Sequence, residues 1–282
     1  MTKILFPTDF STSASNAYQY TLALAEKINA RVITLHVYEK PYIPGIEKVP
    51  MTAQEIYESI KMETFEDYKK NVEELRKSAE NHGYSNVDMD HLLKEGSTVS
   101  TICRMAKQED VDFIVMGTKG ATGLREIFLG SVTAEVMENA PCPVLGVPEE
   151  AELDDAIDNI AVTTDHAEKD YLLFDAILKL TEIFKAKLYC LHVDTGNTES
   201  ITGKMKAIAE KYAENDDFST VNIQNSDVEK GLVQYAEEKH IDLIAMRTEK
   251  RNFFQELFHY SMAKRMSYHT KIPILAVPER IL

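Results

Sequence analysis

Short aliphatic runs alternate with amphipathic segments along the chain. The runs KILFPT, ARVITLHV, VDFIVMGT and CPVLGVP are nearly continuous in apolar character and rich in β-branched residues, which is typical of strands buried on both faces. Segments between them, such as SNAYQYTLALAEKIN, have the three- and four-residue apolar spacing of helices. Strands that alternate with helices predict right-handed crossovers and a parallel α/β sheet.

The same pattern occurs twice, because the chain contains an internal repeat. Lys3–Val37 aligns without a gap with Asn159–Val193 at an offset of 156, and Val111–Thr118 aligns with Ile241–Thr248 at an offset of 130. We therefore expect two tandem domains, at residues 1–148 and 159–282, joined by an acidic linker. Each is expected to be an open, five-stranded parallel sheet with helices on both faces, where ligands bind beyond the carboxyl ends of the strands at the reversal of strand order.

The second copy is 26 residues shorter than the first. The first copy carries in this place a Pro-rich loop, PYIPGIEKVP, and a long charged helix predicted from about Thr52 to His82, with Gly83 ending it. We expect the apolar face of this helix to pack on the core, although the loop before it could also cover a ligand. That face consists of Phe65, Tyr68, Val72, Leu75 and Ala79.

Composition describes a folded, acidic protein. The apolar fraction is 44%, the charged fraction is 27%, and 46 acidic residues against 31 basic ones give a formal charge of −15. These values argue against intrinsic disorder, and the negative charge argues against nucleic acid as a partner. A small polyphosphate is still compatible, because a few aligned backbone amides suffice to attract it.

The start of the chain and the cysteines both favour the cytoplasm. The opening MTKILFPTDF enters a strand without a cleavable apolar region, and no window approaches the roughly 20 apolar residues of a membrane span. Cys103, Cys142 and Cys190 are odd in number and form no CxxC pair, which argues against disulfides and a zinc site. We expect them to pack as small apolar residues.

A glycine-bearing segment, GTKGATGLREIFLGS, follows the strand VDFIVMGT. Gly117 and Gly120 allow close approach of backbone to a ligand, and Gly130 and Ser131 open a helix whose free N–H groups favour an anion. A tight turn without a ligand is the alternative interpretation of these glycines.

The spacing G-x2-G-x9-G-S resembles the nucleotide-binding signature of the ATP-binding universal stress proteins, and PTDFS and LHV are similar to that family's first two strands. The resemblance covers the chain twice and the glycine motif once. It implies Rossmann-like domains of the adenine nucleotide alpha hydrolase type. It further implies that the cofactor is ATP, ADP or AMP, with Mg²⁺ held through the phosphates.

The resemblance assigns roles by position. Asp9 would contact the nucleoside, with Pro7 and Thr8 shaping the pocket, while Val37 would meet the adenine and Met116 would line the base pocket. No aromatic platform for the base is evident. Gly117 would lie beside Met116, and the residues expected around the phosphates are Gly120, Gly130, Ser131 and Val132. Apart from the resemblance, the cations Lys119 and Arg125 are further candidate partners of the phosphates.

Structural alternatives exist for these residues. Asp9 could cap the first helix, Val37 could be core, and loop cations are usually solvated. His36 and His192 occupy matching strand ends, where a histidine is more often hydrogen-bonded structure than a catalyst.

The second copy lacks the three glycines. The offset of 130 places Arg247 at the position of Gly117, Lys250 at Gly120 and Tyr260 at Gly130, while Ser131 is retained as Ser261. The bulk of Arg247 and Tyr260 predicts that this half does not bind ATP. Its basic residues, in RTEKRNFF and MAKR, could hold an anion of another kind, but we expect them to be solvated charges on a drifted loop. We expect Asp165 to be a helix cap.

Members of the family without tandem fusion pair through their last strands. We therefore expect residues near Val144–Val147 to pair antiparallel with Ile274–Val277, so that the second domain completes an intramolecular pseudo-dimer and covers an edge strand. Association of whole chains as a homodimer also stays open.

Three functions fit these observations. The preferred one is a non-catalytic, nucleotide-dependent sensor or regulator with an unidentified protein partner. A slow ATPase or phosphotransferase using Asp9 as base is the second, although no GxxxxGK[ST] loop and no acidic metal cluster is present. The third is a structural dimerisation module that binds no nucleotide.

Overall fold

The computed structural model describes residues 1–40, 53–118, 131–151, 157–164, 170–196, 199–248 and 271–282. In the first half its strands are β1 Lys3–Pro7, β2 Arg31–Tyr38, β3 Met89–Glu95, β4 Phe113–Gly117 and β5 Val144–Val147. In the second half they are β6 Asn159–Thr163, β7 Lys187–Asp194, β8 Phe218–Gln224, β9 Leu243–Thr248 and β10 Ile274–Pro278.

Helices connect these strands. They are α1 Thr12–Ile28, α2 Ala53–Asn81, α3 Thr98–Gln108, α4 Ser131–Asn139, α5 Asp170–Phe184, α6 Glu199–Lys211 and α7 Val228–Glu238, and a short 3-10 helix follows at Glu279–Ile281. Among the described residues, no helix combines the length and the apolar character needed to cross a membrane.

The described strands form one ten-stranded sheet in the order β3-β2-β1-β4-β5-β10-β9-β6-β7-β8. Pairing is parallel within each half, and strand order reverses between β1 and β4 and again between β6 and β9. The predicted α/β architecture of two tandem, five-stranded parallel sheets is confirmed.

The two halves are joined through their last strands. β5 pairs antiparallel with β10, with Leu145 opposite Leu275 and Val144 opposite Ala276. The apolar cluster on the α1 and α5 face of the sheet continues across this junction, since Leu145 and Leu275 both belong to it. The expected antiparallel pairing of the last strands is therefore present.

Local capping explains the bounds of α1. Ser11 is its N-cap, and the Ser11 side chain accepts a hydrogen bond from the Ala14 N–H at 3.3 Å. At the other end Asn29 adopts a left-handed conformation with φ 51°, which closes the helix before β2.

Helix α2 matches the long helix predicted from the sequence, and Gly83 follows it at φ +87° as expected of a helix-ending glycine. Tyr68, Val72 and Ala79 are buried. The prediction was wrong for Phe65, which is 46% exposed and lies under the Lys69 ammonium, 5.4 Å from the ring centroid. Among the α2 residues whose burial is described, Tyr68 is the first that is buried, and Phe65 lies before it.

The cysteines pack as predicted. Cys142 and Cys190 are buried and Cys103 is half-buried, and none forms a disulfide. Burial raises the pKa of both the Cys142 and the Cys190 thiol to about 12, so these groups are neutral at physiological pH.

A hydrogen-bonded chain attaches α2 to the sheet. The Arg76 Nε–H donates to His91 Nε2 at 3.0 Å, and His91 Nδ1 lies 2.7 Å from Thr34 Oγ1. Because Nε2 accepts, the proton of the neutral imidazole is on Nδ1 and is donated to Thr34. Burial lowers the pKa of His91, Arg76 lowers it further, and Asp90 opposes both.

This chain makes stability depend on pH. The folded state holds the His91 pKa below its ordinary value of 6.5, so the unfolded chain binds the proton more tightly. We expect the His91 contribution to be complete above about pH 6.5 and to be lost as pH falls through the lowered pKa. Urea unfolding at about pH 7.5 and about pH 5.5 should show a smaller pH-dependent loss for His91→Gln than for the unmodified protein. The exposed His82→Gln is the control, and equal losses for all three proteins would contradict the prediction.

Candidate functional site

The reversal of strand order between β1 and β4 places several predicted site residues at one edge of the sheet. β1 ends at Pro7, β2 continues through Val37, and β4 ends at Gly117. Parallel pairing of β1 with both neighbours brings these carboxyl ends side by side. This edge is where an open α/β sheet binds its ligand.

The segment after β1 is fixed by its own backbone. Pro7 and Thr8 are buried, and the Thr8 N–H donates to the Leu35 carbonyl at 2.9 Å, which ties the end of β1 to β2. Asp9 is exposed, and its Oδ1 accepts a hydrogen bond from the Ser11 N–H at 3.0 Å. The helix cap itself is Ser11, so Asp9 sits in the turn before α1 rather than at its N-cap.

Phe10, which the sequence did not single out, occupies the centre of this turn. Its φ of 61° is in the left-handed region that few non-glycine residues adopt. The Phe10 ring lies 4.8 Å from the His36 ring and 6.2 Å from the Tyr68 ring, measured between centroids. An aromatic group therefore stands beside the site, where sequence reasoning found none.

Val37 and Met116 belong to the apolar cluster on the opposite face of the sheet from Phe6. Met116 is 6% exposed, and Val37 is half-buried and packs against the same cluster. Both therefore have the core role that was the alternative for Val37, and both also lie near the carboxyl ends of their strands. Burial of these two side chains gives the edge an apolar wall.

Helix α4 is described from Ser131 onward, and residues 119–130 before it lie outside the described residues. Ser131 is its first residue and is exposed, and Val132 is 37% exposed. The Thr133 hydroxyl donates to the Gly117 carbonyl at 2.7 Å, which fixes the start of α4 against the end of β4. Thr133 was missed from the sequence, although a hydroxyl in the first turn of a helix is a recognisable signal. The free N–H groups of this first turn suit an anion.

The remaining predicted phosphate residues lie in the sequence between Gly117 and Ser131. Lys119, Gly120, Arg125 and Gly130 lie outside the described residues. Their placement around phosphate stays a prediction. Among the described residues, no cluster of acidic, histidine or cysteine side chains is arranged to hold a metal ion.

The two repeat histidines have the same structural role. His36 Nδ1 lies 2.8 Å from the Thr8 carbonyl, and His192 Nδ1 lies 3.0 Å from the Thr164 carbonyl. Each ring links the end of its second strand to the end of its first. This repeated bond supports the structural interpretation of both histidines.

The corresponding edge of the second half is filled by a buried ion pair. The Arg247 Nε lies 3.0 Å from Asp170 Oδ1, and its Nη1 lies 3.2 Å from Glu279 Oε2. Arg247 is 8% exposed and Asp170 is 2% exposed, and the Thr164 hydroxyl donates to the second oxygen of Asp170 at 2.6 Å. The expectation of solvated basic residues was wrong for Arg247, because its guanidinium charge is matched by these two carboxylates.

The internal repeat allows the two edges to be compared position by position. Arg247 occupies the position of Gly117, and Asp170 occupies the position of Ala14. The first half has small side chains at both positions, and the second half has a long cation and its counter-ion. Asp165, Lys250, Tyr260 and Ser261 lie outside the described residues.

The chain consists of two Rossmann-like units that have the same strand order and are joined through their last strands. Each unit is open at its switch point, which is the place where strand order reverses. This arrangement defines a tandem, doubly wound α/β protein. The chain belongs to the universal stress protein family, whose family model matches residues 1–148 and again residues 156–278.

Known members cover either half or all of the chain. Universal stress protein MJ0577 of Methanocaldococcus jannaschii is 33% identical over 154 residues, which is 51% of this chain and 93% of that protein. Universal stress protein MJ0531 of the same organism is 34% identical over 145 residues, or 51% of this chain and 81% of that protein. The crystal structure of a universal stress protein from Archaeoglobus fulgidus covers 98% of this chain and 96% of its own, with a TM-score of 0.74 at 18% identity. This last likeness shows that the fold extends over both halves.

The buried ion pair predicts strong coupling between its members. Asp170→Ala alone should lower the free energy of unfolding by about 3–5 kcal/mol, because it leaves Arg247 buried without its nearest counter-ion. Adding Arg247→Gly, which reproduces the small pair of the first half, should cost clearly less than the sum of the two single changes. Urea unfolding of the two single variants and the double variant measures this coupling.

The exposed pair of Lys206 and Glu210, 3.8 Å apart, supplies the control. Lys206→Met should change stability by less than about 0.5 kcal/mol. Additive losses at Asp170 and Arg247 would show that the two side chains do not act as a pair.

Proposed function

We propose that the protein is an ATP-binding stress-response protein that acts as a non-catalytic, nucleotide-dependent sensor or regulator. The first domain, residues 1–148, binds the adenine nucleotide. The degenerate second domain, residues 159–282, completes an intramolecular pseudo-dimer. Mg²⁺ enters with the phosphates, and a protein partner reads the nucleotide-bound surface.

The main support for the proposal is the contrast between the two places at the edges of the sheet where strand order reverses. In the first half, Gly117 ends β4, Ala14 is the repeat counterpart of Asp170, and α4 starts at Ser131. Small side chains leave backbone N–H groups and a helix start accessible to phosphate. In the second half, Arg247 and Asp170 occupy those two positions as a buried ion pair.

The neighbouring side chains suit a nucleoside. Pro7, Val37 and Met116 provide apolar surface at the ends of three adjacent strands, and Asp9 provides an exposed carboxylate beside them. An apolar wall with one acidic group is the usual composition of a site that holds a base and a ribose. The turn that carries Asp9 is held by its hydrogen bond to the Ser11 N–H, which preorganises the carboxylate.

A non-catalytic role is favoured over ATP hydrolysis. Hydrolysis needs a base that is positioned against the attacking water, whereas Asp9 is exposed and its Oδ1 accepts a hydrogen bond from the Ser11 N–H. A sensor needs only that the nucleotide bind one conformation more tightly than another.

The glycine loop supplies the decisive substitution. Gly120→Lys copies Lys250 of the second half and should weaken ATP binding at least about 100-fold, because a long side chain occupies space needed by phosphate and the backbone loses freedom. Equilibrium binding of radiolabelled ATP measures the affinity, and the recovered label should remain ATP. The melting temperature should stay unchanged.

Lys250→Gly, the reverse change in the second half, is the matched control and should leave ATP affinity unaltered. Unchanged ATP affinity in Gly120→Lys would show that the glycine segment is not part of the nucleotide site. Steady release of labelled phosphate by the unmodified protein would instead establish an ATPase.

A further inference from the structure

An aromatic cluster joins helix α2 to the turn that carries Asp9. Its three rings are Phe10 in the turn between β1 and α1, His36 on β2 and Tyr68 on α2. The Phe10 ring centroid lies 4.8 Å from that of His36 and 6.2 Å from that of Tyr68. The centroids of His36 and Tyr68 are 6.4 Å apart, with 24° between the ring planes. All three separations are within the range of about 4.5–7 Å over which aromatic rings attract each other.

The turn between β1 and α1 has a conformation that needs support from its surroundings. Phe10 has a φ of 61°, and a non-glycine residue keeps such a conformation only where its neighbours fix it. The Phe10 N–H donates to the Thr8 hydroxyl at 3.0 Å, and His36 Nδ1 lies 2.8 Å from the Thr8 carbonyl. These hydrogen bonds hold the backbone, and the cluster holds the Phe10 ring. Asp9 lies between Thr8 and Phe10, so the position of its carboxylate depends on this turn.

Helix α2 contacts the turn through the ring of Tyr68. Tyr68 is 8% exposed. Its hydroxyl is buried and forms no hydrogen bond within the part of the chain that the structure describes. Burial raises the pKa of Tyr68 to about 12, so the phenol is neutral at physiological pH. The ring, and not the hydroxyl, therefore accounts for the contact between α2 and the turn.

The two halves of the chain differ at this cluster. The second half keeps the histidine bond, since His192 Nδ1 lies 3.0 Å from the Thr164 carbonyl. Its helix α6, between β7 and β8, has 13 residues where α2 has 29. In the sequence, His166 takes the place of Phe10, and it lies outside the described residues. Phe10 and the long helix thus occur in the half that retains the glycines.

We propose that Phe10 and Tyr68 are positioning residues of the nucleotide site. Their rings hold the turn so that the Asp9 carboxylate meets the nucleoside, and the docking of α2 thereby sets nucleotide affinity. This inference rests on the nucleotide-binding function proposed above, and neither ring touches the nucleotide in it. Because linkage between binding equilibria is reciprocal, a bound nucleotide in turn stabilises the docking of α2 on the turn.

Substitutions on α2 test the role of the ring. Tyr68→Ala should weaken binding of radiolabelled ATP about tenfold, as expected when one hydrogen bond to a charged group is lost. Tyr68→Phe retains the ring and should restore the affinity of the unmodified protein. Phe65→Ala, which removes an exposed ring from the same helix, is the matched control and should bind ATP normally. Phe10→Ala, at a half-buried position, should also lose about tenfold and replaces Tyr68→Ala if that variant does not fold.

A double-mutant cycle with Asp9 separates positioning from a general effect on the fold. Asp9→Ala and the double variant Asp9→Ala/Tyr68→Ala should bind ATP with equal affinity, because Tyr68 acts through the Asp9 carboxylate. Hydrogen exchange gives a second readout. ATP should slow the exchange of α2 amides around Tyr68 in the unmodified protein and in Tyr68→Phe, but not in Tyr68→Ala.

Each result supports or overturns the inference. Full ATP affinity in folded Tyr68→Ala or Phe10→Ala would overturn it and leave the nucleotide site in place. A further loss of affinity in the double variant, beyond that of Asp9→Ala, would also overturn it, because Tyr68 would then act on more than the carboxylate. Failure of the unmodified protein to bind ATP would overturn the nucleotide site and this inference with it.

Discussion

The backbone pairing between β5 and β10 is the constraint on which the rest of the molecule depends. Each half alone would end its parallel sheet in an apolar edge strand, and such edges promote aggregation. Antiparallel pairing of these two strands removes both edges and merges the α1 and α5 cores across Leu145 and Leu275. Because the junction is antiparallel, the carboxyl ends of the two halves lie at opposite edges of one continuous sheet.

The two switch points show how one architecture supports different chemistry. At the first, β4 ends in Gly117, and the Thr133 hydroxyl donates to the Gly117 carbonyl and so fixes α4 against the end of the strand. At the second, the same position holds Arg247, whose charge is balanced inside the protein by Asp170 and Glu279. A guanidinium already matched by two carboxylates gains little from an external phosphate. Thus the second half retains the sheet but holds a buried ion pair where the first half has Gly117 and Ala14.

The sequence predicts the sheet well because strands buried on both faces are apolar throughout, and the repeat supplies each element twice. It predicts less where a side chain is defined by a distant partner. Arg247 lies 77 positions from Asp170, and no pattern within α5 indicates that the two side chains pair. The sequence around Arg247 therefore predicts a solvated charge. Phe65 fits the apolar period of α2 but lies before the helix reaches the core, and the left-handed turn at Phe10 has no glycine to announce it. The glycine loop beyond Thr118 stays a prediction of the sequence.

The number of nucleotides bound per chain distinguishes the two halves, because we propose that the first half binds an adenine nucleotide and the second half does not. Native mass spectrometry of the full chain in excess ATP counts the nucleotides on each molecule. We expect one nucleotide per chain at saturation. Two nucleotides per chain would show that the second half, at the edge that holds Arg247, also binds nucleotide. No bound nucleotide would show that nucleotide binding is not a function of this protein.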